Sequence, residues 1–183
     1  MFVIMCGWPW SGKSTFVKAL ASELNIHGRD PSIIDPTIGY PDNIDQMKPS
    51  ERSAYAIAAW EVAIEEAKSI LSKSDNNTIV ILDTTGSNSN VIGPIVDAAA
   101  MKGHRTLFIK IDCGILECKS RSNGKWIDQD AEDKYKNRFN SNVTFLEGIC
   151  HSSMTVINEG PSGKANIEKQ AKELGARIHQ QVA

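Results

Sequence analysis

The chain has 183 residues and contains no long apolar run. A membrane-spanning helix would need about 18 or more consecutive apolar residues, and no such stretch occurs. The apolar start at residues 1–6 has neither the basic flank nor the length of a signal peptide. These absences predict a cytoplasmic protein that makes no contact with a membrane.

Cysteine patterns typical of metal sites are missing as well. The four cysteines are Cys6, Cys113, Cys118 and Cys150, and the pair Cys113 and Cys118 has no second pair at metal-ligand spacing. We interpret all four as reduced thiols with structural roles.

The chain has no overall excess of positive charge. Its formal net charge is -2, which argues against a general nucleic-acid coat. The charge is unevenly spread, because residues 101–140 hold 9 Lys and Arg against 6 Asp and Glu, whereas residues 1–100 hold 7 against 12. This local basic zone is either a solvated face or a surface that handles phosphate.

Strand-like and helix-like segments alternate along the chain, which predicts an α/β fold with a parallel sheet of about five strands and helices on both faces. We expect a single domain over residues 1–183. The expected strands are 2–6, 32–35, 78–82, 105–111 and 154–157. The expected helices begin near Lys13, at Ser50 as an N-cap (to residue 71), after the polar turn 84–90, and at residues 115 and 166.

The segment from Gly7 to Ser14 matches the Walker A phosphate-binding pattern in full, with Thr15 following. Gly7 and Gly12 let backbone N–H groups turn toward the phosphates of a nucleotide, and the helix after the loop adds its positive end. Lys13 supplies a charge between the β- and γ-phosphates, and the Ser14 hydroxyl is a Mg²⁺ ligand. Ser11 completes this ATP-binding loop.

Two tryptophans inside the loop are unusual. Trp8 and Trp10 either shield the phosphates and meet a base or sugar of the second substrate, or pack beneath a neighbouring loop. We include Trp10 in the predicted nucleotide site.

An aspartate stands at the end of two expected strands, Asp35 and Asp83. Ligands of open α/β sheets bind at these strand ends. Asp83 is expected to hold Mg²⁺ directly or through water, and Asp35 to accept a proton from an attacking hydroxyl. The alternative is that both carboxylates cap turns, since Asp-Pro is a common turn opening.

Phosphoryl transfer also needs positive charge that closes over the site, and in small kinases a lid supplies it. Residues 115–140 are the expected lid. Its candidate cations are Lys119, Arg121, Lys125 and Arg138, and Ser122-Asn123-Gly124 offers a hinge. Each of these cations is equally well explained as a surface charge.

Together, these motifs resemble the 5′-hydroxyl polynucleotide kinase domain of phage type and its zeta-toxin-like relatives. The resemblance rests on residues 7–15, Asp35, residues 60–71, residues 83–88 and Arg121. It implies a three-layer P-loop NTPase fold and an ATP- and Mg²⁺-dependent kinase. It further implies that Asp35 is the general base and that Lys13 and Arg121 stabilise the transferred group. The implied acceptor is a nucleic acid, with DNA favoured.

One position departs from that family. The family carries an arginine three residues after the base aspartate, where this chain has Ile38. The acceptor hydroxyl is therefore either a 5′-end or a hydroxymethyl group on a DNA base, on which related phage kinases act.

Other P-loop proteins remain as alternatives. A nucleoside or nucleotide kinase usually has several arginines between the second and third strands, and Arg52 is the only one here. A GTPase would need a base-reading Asn-Lys-x-Asp motif, whose nearest match lies at residues 72–75. A non-catalytic ATP-binding module is a third possibility. The sequence carries no signal for an oligomeric state.

Overall fold

The computed structural model describes residues 1–38, 40–41, 43–73, 78–86, 89–126 and 129–182. Within these ranges five strands form, β1 (Phe2–Gly7), β2 (Ser32–Ile34), β3 (Val80–Asp83), β4 (Thr106–Asp112) and β5 (Ser152–Ile157). All neighbouring strands run parallel, in the order β2-β3-β1-β4-β5. Phe2 of the central strand pairs with Val80 on one side and with Thr106 on the other.

Six α-helices lie between and after the strands in the described part of the chain. They are α1 (Lys13–Ile26), α2 (Pro49–Lys73), α3 (Ser89–Met101), α4 (Ile115–Arg121), α5 (Gln129–Ile149) and α6 (Gly163–Val182), and a short 3-10 helix lies at Ile44–Gln46. The predicted α/β architecture is therefore confirmed. None of these helices combines the length and the apolar character needed to cross a bilayer.

The sheet is covered on both faces because its side chains alternate between two buried clusters. Phe2, Ile4 and Cys6 of β1 pack with the α2, α3 and α5 side. Val3 and Met5 pack with α1 and α6 on the opposite face. A strand buried on both faces reads as a continuous apolar run, which is why sequence analysis locates it well.

The start of α2 differs from the prediction. Ser50 is not its N-cap, because the helix already begins at Pro49. Proline suits the first helical position, where its missing N–H costs nothing. The Glu51 carboxylate accepts a hydrogen bond from the backbone N–H of Lys48 at 3.1 Å, as the third residue of a capping box does.

The predicted helix over residues 115–140 is wrong as a single element. It is divided between α4 and α5, and α5 continues to Ile149. Asn123 and Gly124 have φ angles of 51° and 81°, which a continuous α-helix does not accommodate. The chain therefore turns at the predicted Ser122-Asn123-Gly124 position. Residues 127–128 of the predicted lid lie outside the described residues. So do residues 74–77, which include the end of the nearest GTPase-motif match, and residues 87 and 88 of the motif at 83–88.

Candidate functional site

The phosphate-binding loop connects the end of β1 to the start of α1. Gly12 has a φ of 98°, in the left-handed region that favours glycine, and a Cβ here would collide with Asn158 Nδ2. The N–H groups of Lys13, Ser14 and Thr15 lie in the first turn of α1, where no intrahelical acceptor is available to them. They are therefore free to bind an anion at the positive end of the helix.

Lys13 is held inside this loop by backbone carbonyl groups. Its Nζ donates to the carbonyl oxygens of Gly7 and Trp8, each at 2.9 Å. Burial lowers the pKa of the Lys13 ammonium, while the carboxylates of Asp83 and Asp35 act in the opposite direction. The ammonium is thus positioned at the loop before any phosphate arrives.

Ser14 and Asp83 meet at the ends of α1 and β3. Ser14 Oγ donates to Asp83 Oδ2 at 3.0 Å. Burial raises the pKa of the Asp83 carboxyl, and the nearby Lys13 charge and the Ser14 hydrogen bond oppose that rise. A hydroxyl and a carboxylate at this separation provide the oxygen ligands that Mg²⁺ prefers.

Ser14 and Asp83 fit a Mg²⁺ ion that takes only part of its ligands from the protein. No group of three or more His, Cys, Asp or Glu side chains that could hold a metal occurs among the described residues. Mg²⁺ at phosphate sites is bound by one or two protein oxygens together with phosphates and water. Ser14 and Asp83 are the residues that would hold it here, as the sequence predicts.

Asp35 directly follows β2 and forms a turn. Its Oδ1 accepts hydrogen bonds from the backbone N–H of Thr37 at 2.8 Å and from the Thr37 hydroxyl at 2.6 Å. No hydrogen bond to Oδ2 occurs from the residues that the structure describes. One carboxylate oxygen therefore orders the turn, as the turn interpretation predicts. The role of Asp35 as a general base stays a prediction.

Two cavities meet at Lys13 and Ser14. The Arg121 cavity, of about 610 Å³, contains Trp10, Gly12, Thr15 and Arg121 as well as the two shared residues. The Asp35 cavity, of about 320 Å³, is lined by Asp35, Asp83, Tyr40 and Trp60 beside the shared pair. Of the predicted site residues, Gly7 and Ser11 line neither cavity and are buried in the loop itself.

Of the four cations of the predicted lid, Arg121 is the one that lines the cavity at the loop. Its guanidinium donates to Glu117 Oε1, from Nη2 at 2.9 Å and from Nε at 3.2 Å, and Nη2 also lies 3.3 Å from the carbonyl oxygen of Asn158. Lys119 is occupied elsewhere, in an ion pair of 2.7 Å with Glu132. Lys125 and Arg138 are exposed and line neither cavity.

The two loop tryptophans have different surroundings. Trp8 is buried against Trp126, Tyr135 and Phe139, so the packing interpretation holds for it. Trp10 is 38% exposed and has a φ of 59°, a conformation that is uncommon for a bulky residue. Its ring centroid lies 5.7 Å from that of Trp126, at the edge of the Arg121 cavity.

Sequence analysis missed Asn158, which fastens the loop. Asn158 directly follows β5, is 3% exposed, and its Nδ2 donates to the carbonyl oxygen of Ser11 at 2.6 Å. It thereby connects the loop with Arg121 on α4. A polar residue at the end of a predicted strand was the available signal, the same one that identified Asp35 and Asp83.

A second contact network fixes the loop after β3. The Tyr135 hydroxyl lies 2.9 Å from the carbonyl oxygen of Thr85 and 3.2 Å from that of Gly7. Gly86, with a φ of 73°, packs so closely on Cys6 that a Cβ would collide with its Sγ. Burial raises the pKa of the Cys6 thiol to about 12, so the thiol stays protonated and acts as a packing group.

Several solved structures share this architecture. Kti12 from Chaetomium thermophilum, in complex with ADP-AlF3, is 12% identical, with a TM-score of 0.57 over 94% of this chain and 98% of that one. The shikimate kinase from Acinetobacter baumannii, in complex with shikimate, is 13% identical, with a TM-score of 0.57 over 99% and 92%. A chain of the PezAT toxin-antitoxin system of Streptococcus pneumoniae is 12% identical, with a TM-score of 0.63 over 100% and 86%.

These similarities confirm the predicted three-layer P-loop fold of kinase type and, at this level of identity, nothing finer. The resemblance to phage polynucleotide kinases stays a prediction. No curated protein sequence matches the chain significantly. A family model described as "Chromatin associated protein KTI12", a family that sequence analysis did not anticipate, matches residues 1–140. Because that match covers most of the chain, the protein belongs to the KTI12 family.

Proposed function

We propose that this protein is an ATP-dependent phosphotransferase that moves the γ-phosphoryl group of ATP onto a hydroxyl acceptor. The observation that carries the proposal is the pair of cavities meeting at Lys13 and Ser14. A nucleotide in the Arg121 cavity would point its phosphates at the boundary between the two cavities. An acceptor in the Asp35 cavity would then approach the γ-phosphorus from the opposite side, as in-line transfer requires.

The chain's own residues would perform distinct parts of this transfer. The acceptor hydroxyl oxygen forms a bond to the γ-phosphorus, the bond from that phosphorus to the β-γ bridging oxygen breaks, and ADP leaves. Asp35 takes the hydroxyl proton. Lys13 and Arg121 stabilise the negative charge on the phosphoryl oxygens. Trp10 and Trp126 shield the loop from water.

Bound Mg²⁺ would supply charge neutralisation at the β- and γ-phosphates. Ser14 and Asp83 would orient it from the protein side, as their mutual distance of 3.0 Å permits. The ADP-AlF3 bound to Kti12 supports a nucleotide in the corresponding cavity here.

We further propose a nucleic acid, with DNA favoured, as the macromolecule that carries the acceptor. The basic zone of residues 101–140 and the chromatin association in the family's description support this choice. Four free cysteines suit action in a reducing compartment such as the cytoplasm.

The test offers γ-labelled ATP and Mg²⁺ to the full chain with 5′-hydroxyl DNA and RNA, hydroxymethylated DNA, nucleosides and nucleotides. Labelled acceptor, and its absence with Lys13→Ala, is the expected result. Release of labelled phosphate alone would indicate a hydrolase. Retained ATP binding with neither product would identify a non-catalytic nucleotide-binding module and contradict the proposal.

A further inference from the structure

The Asp35 cavity is poor in positive charge. Among its lining residues in the described part of the chain, Lys13 is the one cation, and its Nζ is tied to two loop carbonyls. Most of its other lining residues are Asp35, Pro36, Thr37 and Tyr40 after β2 and Asp83, Thr84 and Thr85 at the end of β3. The sequence contains no Lys, Arg or His anywhere in residues 30–47 or 74–101.

The helix that closes the cavity adds no cation either. Trp60 is the α2 residue in the cavity wall. The nearest basic residues along α2 are Arg52 and Lys68, each eight positions from Trp60, or about 12 Å along the helix axis. Lys68 is moreover paired with Glu65 at 3.1 Å.

A phosphate group would find no cation of its own among the described residues that line this cavity. Proteins bind phosphate through Arg, Lys or helix N-terminal N–H groups. The N-terminus of α1 and Lys13 are already committed to the nucleotide. The two carboxylates, Asp35 and Asp83, would repel a second anion, and Asp35 would still do so after Asp83 has bound Mg²⁺.

The cavity offers flat apolar contacts instead. Tyr40 and Trp60 are both partly buried, and burial together with the Asp35 charge raises the pKa of the Tyr40 hydroxyl, which stays a neutral hydrogen-bond donor. The Tyr55 groove, of about 470 Å³, continues from Asp35, Pro36 and Tyr40 along α2. Its walls include Tyr55, Val62 and Ile38, and Ile38 is 74% exposed.

We propose that the acceptor hydroxyl stands on an uncharged planar ring compound that enters the Asp35 cavity without a phosphate beside the reacting group, and that Tyr40 and Trp60 hold this ring. The inference rests on the proposed function, because it specifies the acceptor of the same site. A base within DNA and a free nucleoside share this chemistry. A 5′-hydroxyl polynucleotide end lacks it, since the reacting hydroxyl is on the same sugar as a phosphodiester and not on a planar ring.

The decisive experiment compares matched acceptors with the full chain, Mg²⁺ and γ-labelled ATP. One pair is a nucleoside and its 3′-monophosphate, and the other is a DNA oligonucleotide with a hydroxymethylated base and a blocked 5′-end against an unmodified 5′-hydroxyl oligonucleotide. We expect kcat/KM to be about tenfold or more higher for the first member of at least one pair than for the second member of that pair. The pair that shows this preference tells whether the ring belongs to a free nucleoside or to a base within DNA.

The outcomes separate the two proposals. Equal or better transfer to the phosphate-bearing partners would overturn this inference and leave the phosphotransferase proposal standing. No transfer to any acceptor, with ATP still bound, would contradict both.

Variants of the cavity give an independent measurement. Trp60→Ala should raise the acceptor KM about tenfold without changing ATP affinity, and Trp60→Phe should restore most of the loss because it keeps a ring. Ile57→Ala is the matched control, since Ile57 is exposed on the same helix and lines none of the cavities described above. An acceptor KM that does not respond to Trp60→Ala would overturn the assignment of the ring contact.

A gain of charge tests the electrostatic argument directly. Ile38→Arg places a guanidinium where the chain has none and should raise kcat/KM for the 3′-monophosphate several-fold, with little change for the nucleoside. Ile38→Gln controls for size and polarity. An unchanged ratio between the two acceptors would mean that charge does not select the acceptor.

Discussion

The Arg121 cavity and the Asp35 cavity share Lys13 and Ser14 but are built on opposite principles. The first gathers backbone N–H groups and the cations Lys13, Arg121 and Lys164. The second gathers carboxylates and aromatic rings. Phosphate is bound largely by backbone geometry, which a short motif records, whereas an acceptor is bound by side chains that the fold brings together from distant segments. The sequence therefore predicts the general class of function from the Arg121 cavity, whereas the identity of a substrate depends on the Asp35 cavity.

The largest expected effect follows from removing Lys13, one of the two residues that both cavities share. Lys13→Ala should abolish turnover and weaken ATP binding by roughly ten- to a hundredfold, because a charge-assisted contact to the phosphates is lost. Calorimetry with ATP and Mg²⁺ and a kinase assay measure both quantities. Lys18→Ala, an exposed lysine on the same helix, should change neither. Unchanged ATP affinity in Lys13→Ala would contradict the assignment of the loop.

The next effect should be confined to the acceptor side. Asp35→Asn should lower kcat by roughly 10²- to 10⁴-fold, as general-base loss does, and leave ATP affinity intact. The amide keeps a side-chain oxygen for the Thr37 hydrogen bonds, so the turn is preserved. The control is Asp30→Asn, an exposed aspartate that precedes β2. Near-normal turnover would reduce Asp35 to a turn residue.

A smaller loss is expected on the nucleotide side. Arg121→Ala should lower the single-turnover rate by roughly 10²-fold with nearly unchanged ATP affinity, because its charge acts on the transferring group. Arg121→Lys should restore it only in part, since lysine lacks the planar fork. Lys125→Ala controls for general loss of positive charge in the predicted lid. Equal rates in all variants would indicate that the basic zone of residues 101–140 is only a solvated surface.

The smallest effect concerns pH. Because burial raises the pKa of Asp83, its carboxylate gains a proton at a higher pH than an ordinary aspartate does as the solution is acidified. Mg²⁺-dependent ATP binding should therefore weaken on acidification before unfolding begins. Asp83→Asn should bind ATP weakly at every pH, without this dependence. Titration of ATP affinity with and without Mg²⁺ measures it, and an identical pH profile for both proteins would contradict the role of Asp83 at the metal.

Features that depend on neighbouring residues were predicted well from the sequence, and features that depend on contacts between distant segments were not. The Walker A loop, the buried strands and the aspartates at their ends are local patterns, and each was found at or within two residues of its predicted place. The hinge at Ser122-Asn123-Gly124 was predicted from the sequence. The segments before and after it were nevertheless predicted as one helix, because charged residues continue the helical pattern on both sides.

Contacts between distant segments could not be predicted. The hydrogen bond from Asn158 to Ser11 spans 147 positions, and the contact of Tyr135 with Gly7 spans 128. Nothing in the local sequence of either residue indicates its partner, since the two contacts depend on how α5 packs on the sheet and on how β5 pairs with β4. The burial of Trp8 among aromatic side chains of α5 is unpredictable for the same reason.

The placement of the aromatic side chains also gives the protein a built-in optical reporter. All four tryptophans of the chain lie at the site, with Trp8, Trp10 and Trp126 around the loop and Trp60 alone in the Asp35 cavity. Intrinsic emission consequently reports on site occupancy rather than on the distant helices. Trp60→Phe leaves only the three tryptophans around the loop, so the difference in tryptophan emission between this variant and the unaltered chain would isolate the signal of the proposed acceptor without any attached dye.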